Sequence, residues 1–130
     1  MTQTARAASA FPPAAHDGPD PALLVQDLRM WFPVGRSYFR GPRSFVHAVD
    51  GISFQVPHAG SLGLVGESGC GKTTTGKLLV KLLEPTAGTI KIRRGDGPLV
   101  DLSTLRGAEA KRFRRSAQMI FQDPYESLNP

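Results

Sequence analysis

Polar and apolar residues alternate from residue 23 to 32. Leu24, Gln26, Leu28, Met30 and Phe32 fall on one side of an extended chain, and Val25, Asp27, Arg29 and Trp31 fall on the other. A period of two predicts an amphipathic strand, which Phe32 closes because Pro33 follows it. Residues 35–44 mix Gly, Pro and Arg and predict an exposed excursion. A second strand is expected over 45–56, with a turn or bulge near Asp50-Gly51, and the two strands form an antiparallel pair. His58-Ala59-Gly60 reads as a turn. In residues 61–65, Ser61-Leu62-Gly63-Leu64-Val65, the apolar positions run close to continuous, the pattern of a strand covered on both faces. Leu78, Leu79, Leu82 and Leu83 then recur at helical spacing with Lys77 and Lys81 opposite, predicting a helix from about residue 72 that Pro85 and Gly88 stop. A strand over 89–93, a turn over 94–98, a basic helix over 108–115 and an apolar strand over 117–121, ending at Gln122, complete the pattern. No internal repeat is visible.

Residues 1–21 carry neither period and are rich in Ala and Pro, so they are expected to form a disordered leader, with 22–130 as the folded part. Hydrophobic residues make up 40% and charged residues 21% of the chain, which suffices for a core and excludes disorder throughout. A net charge of +5 suits an anionic partner, but a nucleotide, a nucleic acid and a lipid headgroup all answer to it. The single cysteine, Cys70, excludes an internal disulfide framework and fits a reducing compartment. Charges or glycines break every apolar stretch well short of a membrane span, and the N-terminus lacks the apolar core of a signal peptide. Membrane association is therefore expected to come through a partner.

The candidate chemistry lies between the apolar run and the Leu-rich helix. Gly66-Glu67-Ser68-Gly69-Cys70-Gly71-Lys72-Thr73 matches G-x-x-x-x-G-K-[ST] in full, in the strand-to-helix context that pattern requires. Its glycines let the backbone curl around an anion with successive N–H groups turned inward, and the unpaired N–H groups opening the helix point at the same anion. Lys72 adds a full charge for the β- and γ-phosphates. The Thr73 hydroxyl suits Mg²⁺ bridging those phosphates, and Thr74 can donate to the α-phosphate. Cys70 occupies a variable position of the loop, its side chain a bystander. His47 and His58 do not form a recognisable triad or metal spacing with it.

The run Leu62-Gly63-Leu64-Val65-Gly66-Glu67-Ser68-Gly69-Cys70-Gly71-Lys72-Thr73-Thr74, with Met119-Ile120-Phe121-Gln122-Asp123-Pro124-Tyr125-Glu126-Ser127-Leu128-Asn129-Pro130 after it, resembles the ATP-binding subunit of ABC transporters. The wording Gly-Glu-Ser-Gly-Cys-Gly-Lys, the phrase Phe-Gln-Asp-Pro-Tyr and the insertion after Phe32-Pro33-Val34 are similar to the oligopeptide and dipeptide importer branch, over residues 23–130. The resemblance implies an α/β fold of the P-loop NTPase class in its ABC ATPase form: an antiparallel β subdomain plus the start of a parallel-sheet core, incomplete here. It implies that Phe32 stacks on adenine, for which packing at a sheet end is the alternative. It also implies that Gln122, in the Q-loop, senses Mg²⁺ and the γ-phosphate while its neighbours contact the membrane subunit. Implied partners are integral membrane permease subunits, a second ATP-binding subunit, identical or not, and an extracytoplasmic substrate-binding protein acting through the permease. No nucleic acid is expected, and the location implied is peripheral, on the cytoplasmic face of the inner membrane.

The family's Leu-Ser-Gly-Gly-Gln signature, its Asp-Glu strand end and its switch histidine do not occur in these 130 residues. The expectation is therefore ATP and Mg²⁺ binding without hydrolysis by this chain alone, since the second metal contact and the general base are lacking. It also leaves residues 61–65 with open strand edges, an aggregation hazard. A P-loop ATPase of another class, such as a non-transport ABC-type ATPase, and a binding module without turnover are the alternatives. Nickel chelates stand beside peptides as cargo. The run Lys111, Arg112, Arg114, Arg115 is read as a solvated helix face, with lipid headgroup or permease contact as the other reading.

Overall fold

A computed structural model describes residues 21–35, 44–67, 69 and 71–120. Two antiparallel strands of 14 residues each, β1 (Pro21–Val34) and β2 (Ser44–Pro57), form the expected pair, each slightly longer than its pattern predicts. β1 runs two residues past Phe32. Helix α1 (Lys72–Leu79) follows, then β3 (Ala87–Arg93), β4 (Leu99–Asp101), a short 3-10 turn (Leu102–Thr104) and helix α2 (Gly107–Ser116). The four strands make one sheet in the order β2-β1-β3-β4, all neighbours antiparallel. The core lies on one face of that sheet. Val25, Leu28, Val49, Ile52 and Ile90 supply its strand side, and Leu78, Leu102, Leu105, Ala110 and Phe113 close over them from the helices and the 3-10 turn.

Strict alternation along β1 places Val25 and Leu28 on opposite faces, yet both are buried, at 1% and 0% exposure. Asp27, with φ 49°, explains the difference. Between the pairs Val25↔Phe54 and Leu28↔Ile52, β1 takes three steps where β2 takes two, so one extra residue rotates the chain onto its other face. A compensating bulge sits at Gly51, φ 77°, between the pairs Leu28↔Ile52 and Arg29↔Asp50, where Asp50-Gly51 predicts it. β3 crosses the Asp27 bulge at Gly88, φ 88°, where a Cβ would stand 2.3 Å from the Asp27 carbonyl oxygen. Gly88 is thus a close-approach glycine inside a strand and does not stop the preceding helix.

That helix ends at Leu79, four residues before Leu83. Lys81 takes the left-handed conformation, φ 59°, and its N–H donates to the Leu78 carbonyl at 3.1 Å while the Leu82 N–H donates to the Lys77 carbonyl at 2.9 Å. These are the paired bonds of a Schellman cap, a place that glycine usually fills. Lys81 bears it with its stem buried and its Nζ donating to Glu84 Oε1 at 2.6 Å. Leu82 is consequently turned to solvent, while Leu83 still packs against the core. Lys81→Gly should therefore change stability little, because the backbone relief of about 1 kcal/mol opposes a similar loss of ion pair and stem packing. Lys81→Val puts a β-branched side chain at positive φ and is expected to cost about 2 kcal/mol, read as a lower urea midpoint.

Residues 61–65 do not form the expected strand. They carry no regular secondary structure and are exposed, Val65 at 97%. A strand is held by the hydrogen-bond ladder of a neighbour, and among the described residues none of the four strands runs alongside this segment. The same holds for residues 117–120, which carry no strand and leave Ile120 exposed. Phe121 and Gln122 lie outside the described residues, as do most of the 35–44 excursion and the expected leader up to residue 20; Pro21 already belongs to β1. The turn after β2 is present, its Gly60 N–H donating to the Pro57 carbonyl at 3.0 Å. β4 and the 3-10 turn escape the sequence pattern. Asp101 organises their junction, accepting from the Ser103 N–H at 2.9 Å through Oδ1 and from the Thr104 hydroxyl at 2.7 Å through its carbonyl.

Candidate nucleotide-binding site

The loop from Gly66 to Thr73 leaves the exposed segment and enters α1 through Gly71, the residue that caps the helix. Gly71 has φ 91° and ψ 7°, and no side chain caps the N–H groups of the first turn. No acidic residue stands in that turn either, so the positive end of the helix is not neutralised within α1. Gly69 is also left-handed, φ 81°, with open space where a Cβ would be. Left-handed residues in a glycine-rich bend let main-chain N–H groups turn toward a common anion. Ser68 and Cys70 lie outside the described residues. Glu67 and Thr73 are exposed, and Thr74 is half-buried.

Lys72 folds back across the loop. Its Nζ donates to the Gly66 carbonyl and, at 2.8 Å, to the Glu67 carbonyl, which holds the ammonium over the bend. Thr75 fixes the loop's exit. It is buried, and both its N–H and its hydroxyl donate to the Gly71 carbonyl at 2.8 Å. The run Thr73-Thr74-Thr75 gives no sequence clue to this division of labour; only the i to i−4 reach of a helical threonine hydroxyl hints at it. These features suit a polyphosphate with Mg²⁺. The cradle carries no obstructing side chain at Gly69 or Gly71, an ammonium sits above it, and a threonine hydroxyl stands in the first turn of the helix.

Phe32 lies on β1 directly across from Val46, half-buried, with no ring stacked on it among the described residues. Trp31 points to the opposite face and is already engaged. Its ring stacks on His47 with centroids 4.4 Å apart and planes 11° from parallel, and its Nε1 donates to Asp50 Oδ1 at 3.4 Å. Arg29 Nη1 donates to the same oxygen at 3.1 Å. Among the described residues, no hydrogen bond or ring stack joins Phe32 to the phosphate loop. Gln122 is outside the described residues, but the chain leading to it passes against α1, where Met119 Cε lies 3.1 Å from the Cβ position of Gly76.

Comparison with known proteins follows the same lines. The family model for ABC transporters matches residues 49–130. The oligopeptide transport ATP-binding protein AppF of Bacillus subtilis is 41% identical over 108 residues, 83% of this chain and 32% of that protein. The glutathione import ATP-binding protein GsiA of Pectobacterium atrosepticum is 42% identical over 111 residues, 85% of this chain and 17% of that protein. The dipeptide transport ATP-binding protein DppF of Haemophilus influenzae is 40% identical over 110 residues, 85% of this chain and 32% of that protein. The chain thus spans about a third or less of the length of these curated relatives. Because the family match covers more than half of its residues, the chain belongs to the ABC transporter family, with the α/β, P-loop fold of that family's ATPase domain.

Proposed function

We propose that residues 66–74 bind Mg-ATP and that the protein is the ATP-binding component of an importer for oligopeptides or dipeptides. The observation that carries the reading is the loop itself. Left-handed glycines at 69 and 71 lead into an uncapped helix N-terminus beneath the Lys72 ammonium. In this reading the backbone N–H groups of Gly66, Glu67, Ser68, Gly69, Cys70 and Gly71 surround the phosphates. On nucleotide binding, Lys72 exchanges its carbonyl partners for β- and γ-phosphate oxygens. Thr73 holds Mg²⁺ with Gln122, and Thr74 meets the α-phosphate.

The cargo class rests on the relatives, whose names specify oligopeptide, dipeptide and glutathione transport, and none of the three names a nickel chelate. Two ATP-binding subunits, membrane permease subunits and an extracytoplasmic binding protein complete the proposed assembly on the cytoplasmic face of the membrane. Among the described residues no helix is long and apolar enough to cross a membrane. A P-loop enzyme of another class is the weaker reading, because the match extends beyond the loop to residue 130.

The adenine platform separates the two adjacent aromatics. Phe32→Ala should weaken ATP binding by about 2 kcal/mol, the usual scale for stacking a base on an aromatic ring, or about thirtyfold. Trp31→Ala should leave affinity near parental while lowering thermal stability, since Trp31 spends its ring on His47. Displacement of a fluorescent nucleotide from both variants tests this; equal losses, or loss only with Trp31→Ala, would reverse the assignment.

A further inference from the structure

Helix α2 turns two chemistries to two sides. Ala110 and Phe113 are buried in the core and fix its orientation. At about 100° of turn per residue, Lys111, Arg112 and Arg115 lie on the side away from that pair. Arg106 precedes the helix, and Arg114 stands on its flank. All five are exposed, and none of their side chains makes an ion pair or hydrogen bond among the described residues. Glu109 is the only acidic residue within α2.

Helix stability does not account for this charge. Arg114 and Arg115 complement the negative end of the helix dipole, but Arg106 stands at its positive end and Lys111 and Arg112 gain nothing from it. Lys111 and Arg115, four residues apart, repel each other. The apolar side of α2 is already spent on the core, so the helix cannot bury itself in lipid; only its charge is available. Its single aromatic, Phe113, is buried, which leaves no platform on which nucleobases could stack.

We propose that the outward face of α2 adsorbs electrostatically to an anionic lipid bilayer, steering the protein onto the membrane surface where its permease lies. The inference rests on the reading that the protein works beside a membrane permease. Lipid phosphates form a mobile array, so cations spread over successive turns find partners without a matched arrangement of acids. Adsorption shares the protein's net charge of +5 but is concentrated on α2.

The full chain should sediment with phosphatidylcholine vesicles containing phosphatidylglycerol and stay in the supernatant with phosphatidylcholine alone. In about 1 M NaCl, where the screening length falls to about 3 Å, the binding should vanish. Arg112→Gln with Arg115→Gln should lower partition by about fivefold for each side chain, about thirtyfold for the pair. Lys77→Gln with Lys91→Gln removes the same charge elsewhere and should change it by about twofold or less. Unchanged circular dichroism and Mg-ATP affinity in the α2 pair separate loss of the surface from loss of the fold or of the nucleotide site. Salt-insensitive binding, equal loss in the control pair, or no binding to phosphatidylglycerol vesicles would overturn the proposal. Partition that persists in a chain unable to bind Mg-ATP would support it and count against the nucleotide site alone.

Discussion

Lys72→Ala is expected to weaken Mg-ATP binding by about a hundredfold or more while leaving the urea midpoint close to that of the parent. Two charge-assisted hydrogen bonds to phosphate oxygens, each contributing about 1.5 to 3 kcal/mol, are lost together, and no neighbouring cation of α1's first turn replaces them. The fold is spared because Lys72 stands outside the hydrophobic core and donates to the Gly66 and Glu67 carbonyls of its own exposed loop. Lys72→Arg should recover little, since a planar fork on a longer stem does not reproduce a compact ammonium above a tight bend. Titration calorimetry beside chemical denaturation reads both quantities. Tight binding by Lys72→Ala would remove the phosphate loop from the account.

The largest expected effect on stability belongs to a residue far from that loop. Gly88→Ala is expected to destabilise the chain by about 3 to 5 kcal/mol, the sum of a side chain forced into positive φ and an overpacked contact. At φ 88° an added Cβ would lie 2.3 Å from the Asp27 carbonyl oxygen, and backbone on both sides leaves no flexible group to yield. The contact occurs where β3 crosses the bulge that brings Val25 and Leu28 to one face, so relief of the clash disturbs the centre of the core. Gly95→Ala is the control: it also has positive φ, 55°, but open space around the Cβ position, and should cost about 1 to 2 kcal/mol. Urea midpoints for the two variants, compared at equal slope, decide the matter. Equal midpoints would show that the crossing is not tight.

Much of this architecture is legible in the sequence where the information is local. The alternation over 23–32 and 45–56 yields a hairpin pair because period two needs only the neighbouring strand to be expressed. The glycines at 69 and 71 announce left-handed backbone, and both have positive φ. Ala110 and Phe113 mark the buried side of a helix that is otherwise almost wholly polar.

The differences arise where a distant partner decides. Asp27 is an ordinary polar residue in the pattern, and nothing near it declares that β1 gains a step against β2 there. Gly88 is a helix stop by proximity to Pro85, but its role is set by β1, some sixty residues earlier in the chain. Lys81 ends α1 through left-handed backbone that sequence assigns to glycine, stabilised by a buried stem and by Glu84. Residues 61–65 and 117–120 have the composition of buried strands, but composition supplies no ladder, and none of the described strands pairs with them. The roles proposed for Phe32 and Gln122 rest on resemblance, because an aromatic at a strand end and a loop amide look alike in any fold.

In the proposed function the main-chain amides of one bend grip a triphosphate. A ¹H–¹⁵N correlation spectrum titrated with Mg-ATP, and separately with Mg-AMP, tests it most directly, since glycine amides fall in a region of their own. Saturable shifts are expected at Gly66, Gly69, Gly71, Lys72 and Thr73 with Mg-ATP and much weaker ones with Mg-AMP. Equal responses to both nucleotides, or shifts confined to residues outside the loop, would contradict it.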